Sequence, residues 1–278
     1  MGLRVNTNEA SINAQRNLTN STLELGKSLQ RLSSGLRIVR AADDAAGLAI
    51  SEKFRAEIRS LQRAQLNAND GISLLQVAEG ALNEVSSVLI RMRELAIQSA
   101  NGTLGTSERT VLNSEFQDLA AEITRIANVT EFNGTQILVS GTSGLASVTF
   151  QVGASNTTND QITVSGVDAT ATGIGVTSTT AISSVSSAQA ALDVLDSAIN
   201  TVTSLRGSFG TAQNRLESTI RSIAVAVENS SAAESRIRDV DVASETANLT
   251  KYQVLQQAGV AVLAQANVST SIVLSLLQ

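Results

Sequence analysis

Two adjacent aspartates, Asp43 and Asp44, are the residues of this sequence that most resemble the start of a chemical site. Paired carboxylates can bind a metal ion or divide acid and base roles, but both uses need further ligands or a partner base. The sequence has no His, and no third acidic residue clusters with the pair. We therefore interpret Asp43 and Asp44 as residues of a turn or a helix start, where carboxylates accept backbone N–H bonds.

The composition as a whole argues against an enzyme. Without His and Cys, the chain cannot form a Ser-His or Cys-His nucleophilic arrangement, a zinc-thiolate site or a disulfide. We expect no catalytic residue, no metal and no cofactor. The net charge is −5 and aromatic residues make up 2%, so the sequence does not predict a basic surface with stacking aromatics. Nucleic-acid binding is therefore not expected.

Long helices are predicted by apolar residues at heptad spacing. One run keeps alternating steps of three and four, at Leu75, Ala78, Leu82, Val85, Leu89, Met92 and Ala96. Asn101-Gly102 predicts a break, after which an antiparallel second helix follows. The longest register runs from Val185 to Val227, interrupted only at Arg206 and Gln213. Fifty helical residues reach roughly 75 Å, so this helix must lie along partner helices.

The two ends of the chain are predicted to supply such partners. Near the N-terminus, Leu18, Leu25, Leu29, Leu32 and Leu36 follow heptad-like steps. From Tyr252 to Gln278 no side chain is charged. The many amides and hydroxyls of this tail argue against a membrane span and favour a helix buried between copies of the chain.

Between the helical regions the apolar period becomes two. Val148, Phe150 and Val152 alternate with polar residues, as do Ile162 and Val164, which predicts a β-hairpin within about residues 139–181. The Ser- and Thr-rich segment from Thr142 to Ser187 could carry O-linked sugars or could be a plain polar loop, and the sequence leaves both open.

Several ordered segments resemble the bacterial flagellin family. In the N-terminal half they are residues 33–38 (SSGLRI), 43–51 (DDAAGLAIS), 67–73 (NANDGIS), 80–84 (GALNE), 91–95 (RMREL) and 131–134 (EFNG). In the C-terminal half they are residues 233–237 (AESRI), 255–259 (LQQAG) and 262–267 (VLAQAN). The sequence resembles a short flagellin lacking most of the variable outer domains. It departs from the family after Asn267, where a Pro usually follows and this chain has none.

The resemblance implies a mainly α fold: a long antiparallel helical coiled-coil or bundle rod with a small β-hairpin region, its N- and C-terminal helices paired. We predict an inner terminal coiled-coil domain from residues 1–44 with 240–278, and a helical rod domain from residues 45–239. In this family the termini are disordered in the monomer and fold on assembly. The uncharged tail fits that behaviour, because only neighbouring subunits can bury it.

The function implied by the resemblance is a structural subunit that polymerises into the extracellular flagellar filament for motility. The flagellar type III apparatus would export it. Implied partners are other flagellin subunits, an export chaperone at the C-terminal helices, the filament cap and hook-associated proteins. One alternative is a hook-filament junction protein, which shares the terminal helices. Another is a secreted helical adhesin or enzyme with flagellin-like ends, for which the sequence leaves little room.

The resemblance also assigns residues to roles. Subunit packing is expected at Leu25, Leu29, Leu32, Leu36, Leu255, Val262, Leu263, Leu274 and Leu277. The domain junction is expected at Asp43, Asp44 and Gly47. Arg91, Leu95 and Glu115 align with the family's contact surface for the innate immune flagellin receptor, or else form a helix face used in subunit packing.

Overall fold

The computed structural model describes residues 7–140, 147–177 and 179–275. The chain divides into two compact units. The first unit combines Met1–Ile58 with Glu228–Gln278, and the second consists of Arg59–Val227. The two ends of the chain therefore belong to one unit although they are far apart in sequence.

The described residues form long helices and short strands. The helices are α1 (Glu9–Ser34), α2 (Ala45–Ser99), α3 (Thr106–Val129), α4 (Val185–Arg238) and α5 (Val242–Ser275). The strands are β1 (Glu131–Phe132), β2 (Thr135–Gln136), β3 (Ser147–Gln151) and β4 (Gln161–Ser165). The predicted mainly α fold with a small β-hairpin region and paired terminal helices is confirmed.

In the first unit, local sequence signals set the ends of α1. The Asn8 side chain accepts a hydrogen bond from the backbone amide of Ser11 at 3.0 Å and so caps the N-terminus. Gly35 ends the helix in the left-handed conformation, with φ of 71°, and its amide donates to the Arg31 carbonyl. A residue with a Cβ would be strained there, so the glycine fixes the point at which the chain leaves α1.

In the second unit, α2 carries the predicted apolar seam. All seven positions of the predicted run from Leu75 to Ala96 are buried. They share one core with Phe116 and Ile123 of α3. The heptad period predicted this face because only one side of α2 lies against other helices within this unit.

The buried face of α4 differs from the prediction in one respect. Leu195, Val202, Phe209 and Leu216 are buried as expected. At the alternate positions, however, alanines are buried while the neighbouring larger residues stay half-exposed: Ala191 beside Leu192, and Ala198 beside Ile199. Small side chains allow close packing, whereas leucine and isoleucine at the edge of the face still cover it.

The structure contains a second, smaller hairpin besides the predicted one. Strands β3 and β4 pair antiparallel, with Phe150 opposite Ile162. Phe150 also lies against Gly71 of α2, where a Cβ would come within 3.0 Å of the ring. Strands β1 and β2 pair around Asn133-Gly134, which have φ of 53° and 76°. An Asn-Gly pair with positive φ at both positions is the preferred two-residue hairpin turn.

Candidate functional site

The antiparallel pair of α1 and α5 is the first candidate site. Two side-chain hydrogen bonds join the start of α1 to the C-terminal part of α5: the Asn8 side-chain amide donates to the Ala266 carbonyl at 2.9 Å, and the Ser11 hydroxyl donates to the Asn267 side chain at 3.0 Å. In the middle, Gly259 faces Leu18 so closely that a Cβ on Gly259 would lie 3.7 Å from the Leu18 Cβ. The terminal helices therefore pack at short range.

The predicted packing leucines and valines are divided between the inside and the outside of this pair. Leu25, Leu32, Leu36 and Leu263 are half-buried, whereas Leu29, Leu255 and Val262 are exposed. Leu274 lies in α5, and Leu277 lies outside the described residues. The exposed members are the ones that a neighbouring subunit could cover.

Helix α5 has apolar side chains on more sides than α1 can cover. Val254, Leu255, Val260 and Val262 are 58%, 43%, 54% and 58% exposed. At 100° per residue, Leu255 and Val262 lie on one side of the helix, whereas Val254 and Val260 point in two other directions. A helix that is apolar on all sides is normally buried on all sides. Its exposed surface is therefore suited to contact with further helices.

The second candidate site is the junction at which the connection between α1 and α2 meets the short connection between α4 and α5. The backbone amide of Arg37 donates to the Arg238 carbonyl at 2.6 Å, and the amide of Val240 donates to the Gly35 carbonyl at 3.0 Å. The Arg37 guanidinium adds a bond to the Ile237 carbonyl at 2.6 Å. These bonds join the connection after α1 to the connection before α5.

The aspartates predicted for this junction act as backbone acceptors. Asp43 Oδ2 accepts from the amides of Val39 at 3.3 Å and Arg40 at 3.0 Å. The bond from the Arg40 amide, more than any other interaction, holds the pKa of the Asp43 carboxyl below its ordinary value. Asp44 Oδ1 accepts from the Gly47 amide at 2.9 Å, which caps the start of α2.

Gly47 is buried beneath the loop that precedes α2. A Cβ at this position would meet the Asp44 carboxylate and would lie 2.7 Å from the Ile38 side chain. Ile38 is itself 2% exposed. The structure thus brings the three predicted junction residues together, with Gly47 leaving the space that the Asp44 cap occupies.

Ion pairs that the sequence analysis did not anticipate link helices of the first unit. Arg238 Nη1 lies 2.6 Å from Glu52 Oε1, and this hydrogen bond is the main cause of a lowered pKa for the Glu52 carboxyl. Arg31 Nη1 lies 3.8 Å from Glu245 Oε2. Glu245 could have been singled out, because it is the only acidic residue from Val242 to Gln278.

The third predicted group, Arg91, Leu95 and Glu115, lies in the second unit, and only two of its three members are on the surface. Arg91 donates to Glu115 Oε1, with Nη2 at 2.9 Å, and to Glu94 at 3.1 Å. These bonds, first the one to Glu115, raise the pKa of the Arg91 guanidinium. Both Arg91 and Glu115 are exposed, but Leu95 is 1% exposed and belongs to the core.

Within residues 7–140, 147–177 and 179–275, no three acidic side chains gather into a possible metal site. In the same part of the chain, no helix is both long enough and apolar enough to cross a membrane. The features that the structure does provide are a closely packed terminal helix pair, its exposed apolar side chains and a bonded junction. They define a helical structural protein whose surfaces are suited to self-association.

Comparisons with known proteins identify which structural protein family this is. The N-terminal helical region of bacterial flagellins matches residues 5–143, and the C-terminal helical region matches residues 192–277. The chain is 47% identical over 274 residues to a flagellin of Halalkalibacterium halodurans, covering 99% of each. It is 44% identical over 284 residues to the flagellar filament 33 kDa core protein of Treponema phagedenis, again covering 99% of each.

A crystal structure of Bacillus cereus flagellin is also similar, with a TM-score of 0.52 and 31% identity over 57% of this chain and 88% of that one. The chain belongs to the bacterial flagellin family. It is a structural subunit of the extracellular flagellar filament, exported by the flagellar apparatus, and not an enzyme. The alternative of a hook-filament junction protein is not better supported.

Proposed function

We propose that the exposed surface of the terminal helix pair is the principal contact by which this flagellin subunit joins its neighbours in the filament. The observation that carries the proposal is the exposure of Val254, Leu255, Val260 and Val262 on a helix that α1 covers from one direction only. Fully burying such a side chain contributes about 1.5–3 kcal/mol. Because every subunit carries several such side chains, their burial between subunits strongly favours polymerisation.

A single isosteric substitution tests this proposal. In Val262→Thr a hydroxyl replaces a methyl group with little change in shape, so the helix remains but the burial of Val262 becomes less favourable. We expect the critical concentration for growth from filament seeds to rise several-fold. The matched control is Val111→Thr in α3, which is also an exposed valine, at 68%, but lies in the second unit. Equal critical concentrations for the two variants and the unchanged protein would refute the proposal.

Before assembly, no neighbouring subunit buries these side chains, so another protein must cover them. We infer that the flagellar export chaperone binds the C-terminal helix over Leu255 and Val262, because an exposed apolar helix is a liability in the cell. Val262→Thr should then co-purify less chaperone than Val111→Thr does. The filament cap and the hook-associated proteins would meet the terminal helices of the last and first subunits, where no neighbouring flagellin covers them.

The Arg91 and Glu115 pair is proposed as a second contact surface, used mainly in subunit packing. Its support is a charged, exposed pair that joins α2 to α3 through two hydrogen bonds from Arg91. The innate immune flagellin receptor would approach the same two side chains, while buried Leu95 would act by holding α2 in place.

Arg91→Ala distinguishes these uses when compared with Arg125→Ala, which removes another exposed arginine, paired with Glu122. We expect Arg91→Ala alone to slow filament growth. A reporter-cell assay with purified monomer should show weaker receptor activation by Arg91→Ala than by Arg125→Ala. If the two variants behave alike in both assays, the proposed surface is wrong.

A further inference from the structure

Specific interactions must fix the register of the terminal helix pair, that is, which residues of α1 lie opposite which residues of α5. Leucines recur along α1 at Leu18, Leu25 and Leu32, and α5 is apolar on several sides. Sliding one helix along the other by one or two turns, about 5 or 11 Å, would still bring apolar side chains together. Burial alone is therefore compatible with several registers, and only one of them can repeat correctly from subunit to subunit in a filament.

One charged pair crosses between these helices. Arg31 Nη1 and Glu245 Oε2 are 3.8 Å apart, with side chains 31% and 9% exposed. Glu245 is the most deeply placed charge of α5, and the only other charged residue of that helix is Lys251. A carboxylate that is nearly buried is strongly destabilising when it has no partner. This pair therefore penalises registers that separate its members.

We propose that Arg31 and Glu245, together with the close approach at Gly259, are the residues that set the register of the terminal helix pair during filament assembly. They are positioning residues, since the apolar side chains supply the burial. Polar groups within an apolar seam are the best-attested means of fixing register in paired helices.

The alternatives nearest to the observed register each meet a specific obstacle. A one-turn slip in one direction brings Leu249 opposite Arg31, and Glu245 then loses its cation. A one-turn slip in the other direction brings Asp241 opposite Arg31 and Glu245 opposite Lys27, so both carboxylates would still face a basic residue. However, Asp241 Oδ1 already accepts from the amides of Ala243 and Ser244, at 3.0 and 3.2 Å, at the start of α5.

Both slips also meet a steric obstacle. They replace Gly259 by a leucine, Leu263 in the first slip and Leu255 in the second, at the point where the helices are closest. At Gly259, even a single Cβ would lie 3.3 Å from the Leu18 side chain and 3.9 Å from the Leu18 Cα. The charged pair thus opposes the first slip, and Gly259 opposes both.

Because the chain has no cysteine, introduced cysteine pairs can report the register directly. Leu18→Cys with Gly259→Cys places the two Cβ atoms about 3.7 Å apart, within the range of a disulfide. Leu18→Cys with Leu263→Cys is one helical turn out of register and reports the slip that separates Arg31 from Glu245. This second reporter leaves Gly259 intact.

The experiment uses the full chain grown from filament seeds, oxidised and then run on a non-reducing denaturing gel. On this gel a subunit closed by its internal disulfide migrates ahead of the open monomer, and a disulfide between subunits gives a dimer. With the native pair, the 18/259 disulfide should form and the 18/263 disulfide should be scarce. In Glu245→Gln, we expect the yield of the 18/263 disulfide to rise several-fold. The control Glu24→Gln breaks an exposed pair within α1, to Lys27, and should leave both yields unchanged.

The exchanged variant Arg31→Glu/Glu245→Arg should restore the original pattern, because the attraction is the same after the charges change places. The exchanged variant also tests the proposal if Glu245→Gln fails to assemble. Assembly of the exchanged variant would then support the proposal, and its failure to assemble would overturn it. An unchanged pattern of disulfides in Glu245→Gln would overturn it as well. Failure of Val262→Thr to alter growth would bear only on the packing surface, not on the register.

Discussion

Gly47 shows how a residue without a side chain can shape the junction of the first unit. Its missing Cβ leaves room for the Asp44 carboxylate and for Ile38. Gly47→Ala should therefore displace the cap of α2 or the loop above it, at a cost of about 1–3 kcal/mol. We expect filaments that dissociate at lower temperature and show altered curvature in electron micrographs.

Gly80→Ala is the matched control for this prediction, since Gly80 also lies in α2 but has open space around it. There the alanine should stabilise the helix by about 0.5–1 kcal/mol, because a glycine in a helix interior is unfavourable. If Gly47→Ala and Gly80→Ala filaments are equally stable and equally curved, the steric role given to Gly47 is incorrect.

Asp43 gives the junction a dependence on pH. Its folded-state pKa is lowered by the backbone amide of Arg40, so its stabilising effect is complete above the ordinary pKa of about 3.9 and is lost as the pH falls through the lowered value. Asp43→Asn should destabilise the filament near neutral pH by less than about 1 kcal/mol, since the group is exposed.

The difference in dissociation temperature between Asp43→Asn and the unchanged protein should be constant from neutral pH down to about 4 and then shrink. Asp118→Asn, at an exposed site in α3, serves as the control and should show no such difference. A difference for Asp43→Asn that persists at the lowest pH would contradict the role assigned to the carboxylate.

At the scale of a single helix, α2 separates buried from exposed positions sharply. Leu82 is fully buried, whereas Ile90 in the same helix is 52% exposed. Leu82→Ala should lower the free energy of unfolding of the soluble subunit by about 2–5 kcal/mol, through lost burial and the cavity left behind. Ile90→Ala should cost much less, and urea denaturation followed by circular dichroism would measure both. Similar losses for the two variants would show that the seam is misplaced.

The elements differ in how far the sequence could predict them. The seam of α2 was predictable because an apolar residue stands at every position of it, and five of the seven are leucine, valine or methionine. On α4 the alternation of Ala191 and Ala198 with larger neighbours concealed which residues are innermost, since the choice depends on how closely the partner helix approaches. From Val167 the apolar residues alternate with polar ones as in a strand, yet residues 167–176 are largely buried without forming one, and only the completed core determines their places.

The candidate sites were predictable to a similar extent. The local roles of Asp43 and Asp44 as backbone acceptors follow from residue type, and both are seen. The contact of Arg31 with Glu245 joins residues from opposite ends of the chain. No local pattern can specify such a contact, because it depends on the register that the two helices adopt.

At the scale of the whole molecule, the lysines offer a probe confined to one unit. The sequence has three, Lys27, Lys53 and Lys251, and all lie in the first unit. A lysine-specific protease should cut the soluble subunit near both ends and leave a fragment that contains the entire second unit. In filaments, Lys251 should be protected because neighbouring subunits cover α5. Mass spectrometry of timed digests measures this, and equal cleavage at Lys251 in both states would refute burial of α5.

The turn between β3 and β4 has a practical consequence. Residues Ala154 to Thr157 are exposed, while the amide of Val152 and the carbonyl of Asp160 close the base of the turn at 2.8 Å. Exposed loop tips with a bonded base accept inserted peptides well. A foreign epitope placed at Asn156 would be carried once by every subunit, so the polymer would become a regularly spaced display array whose density is set by the filament itself.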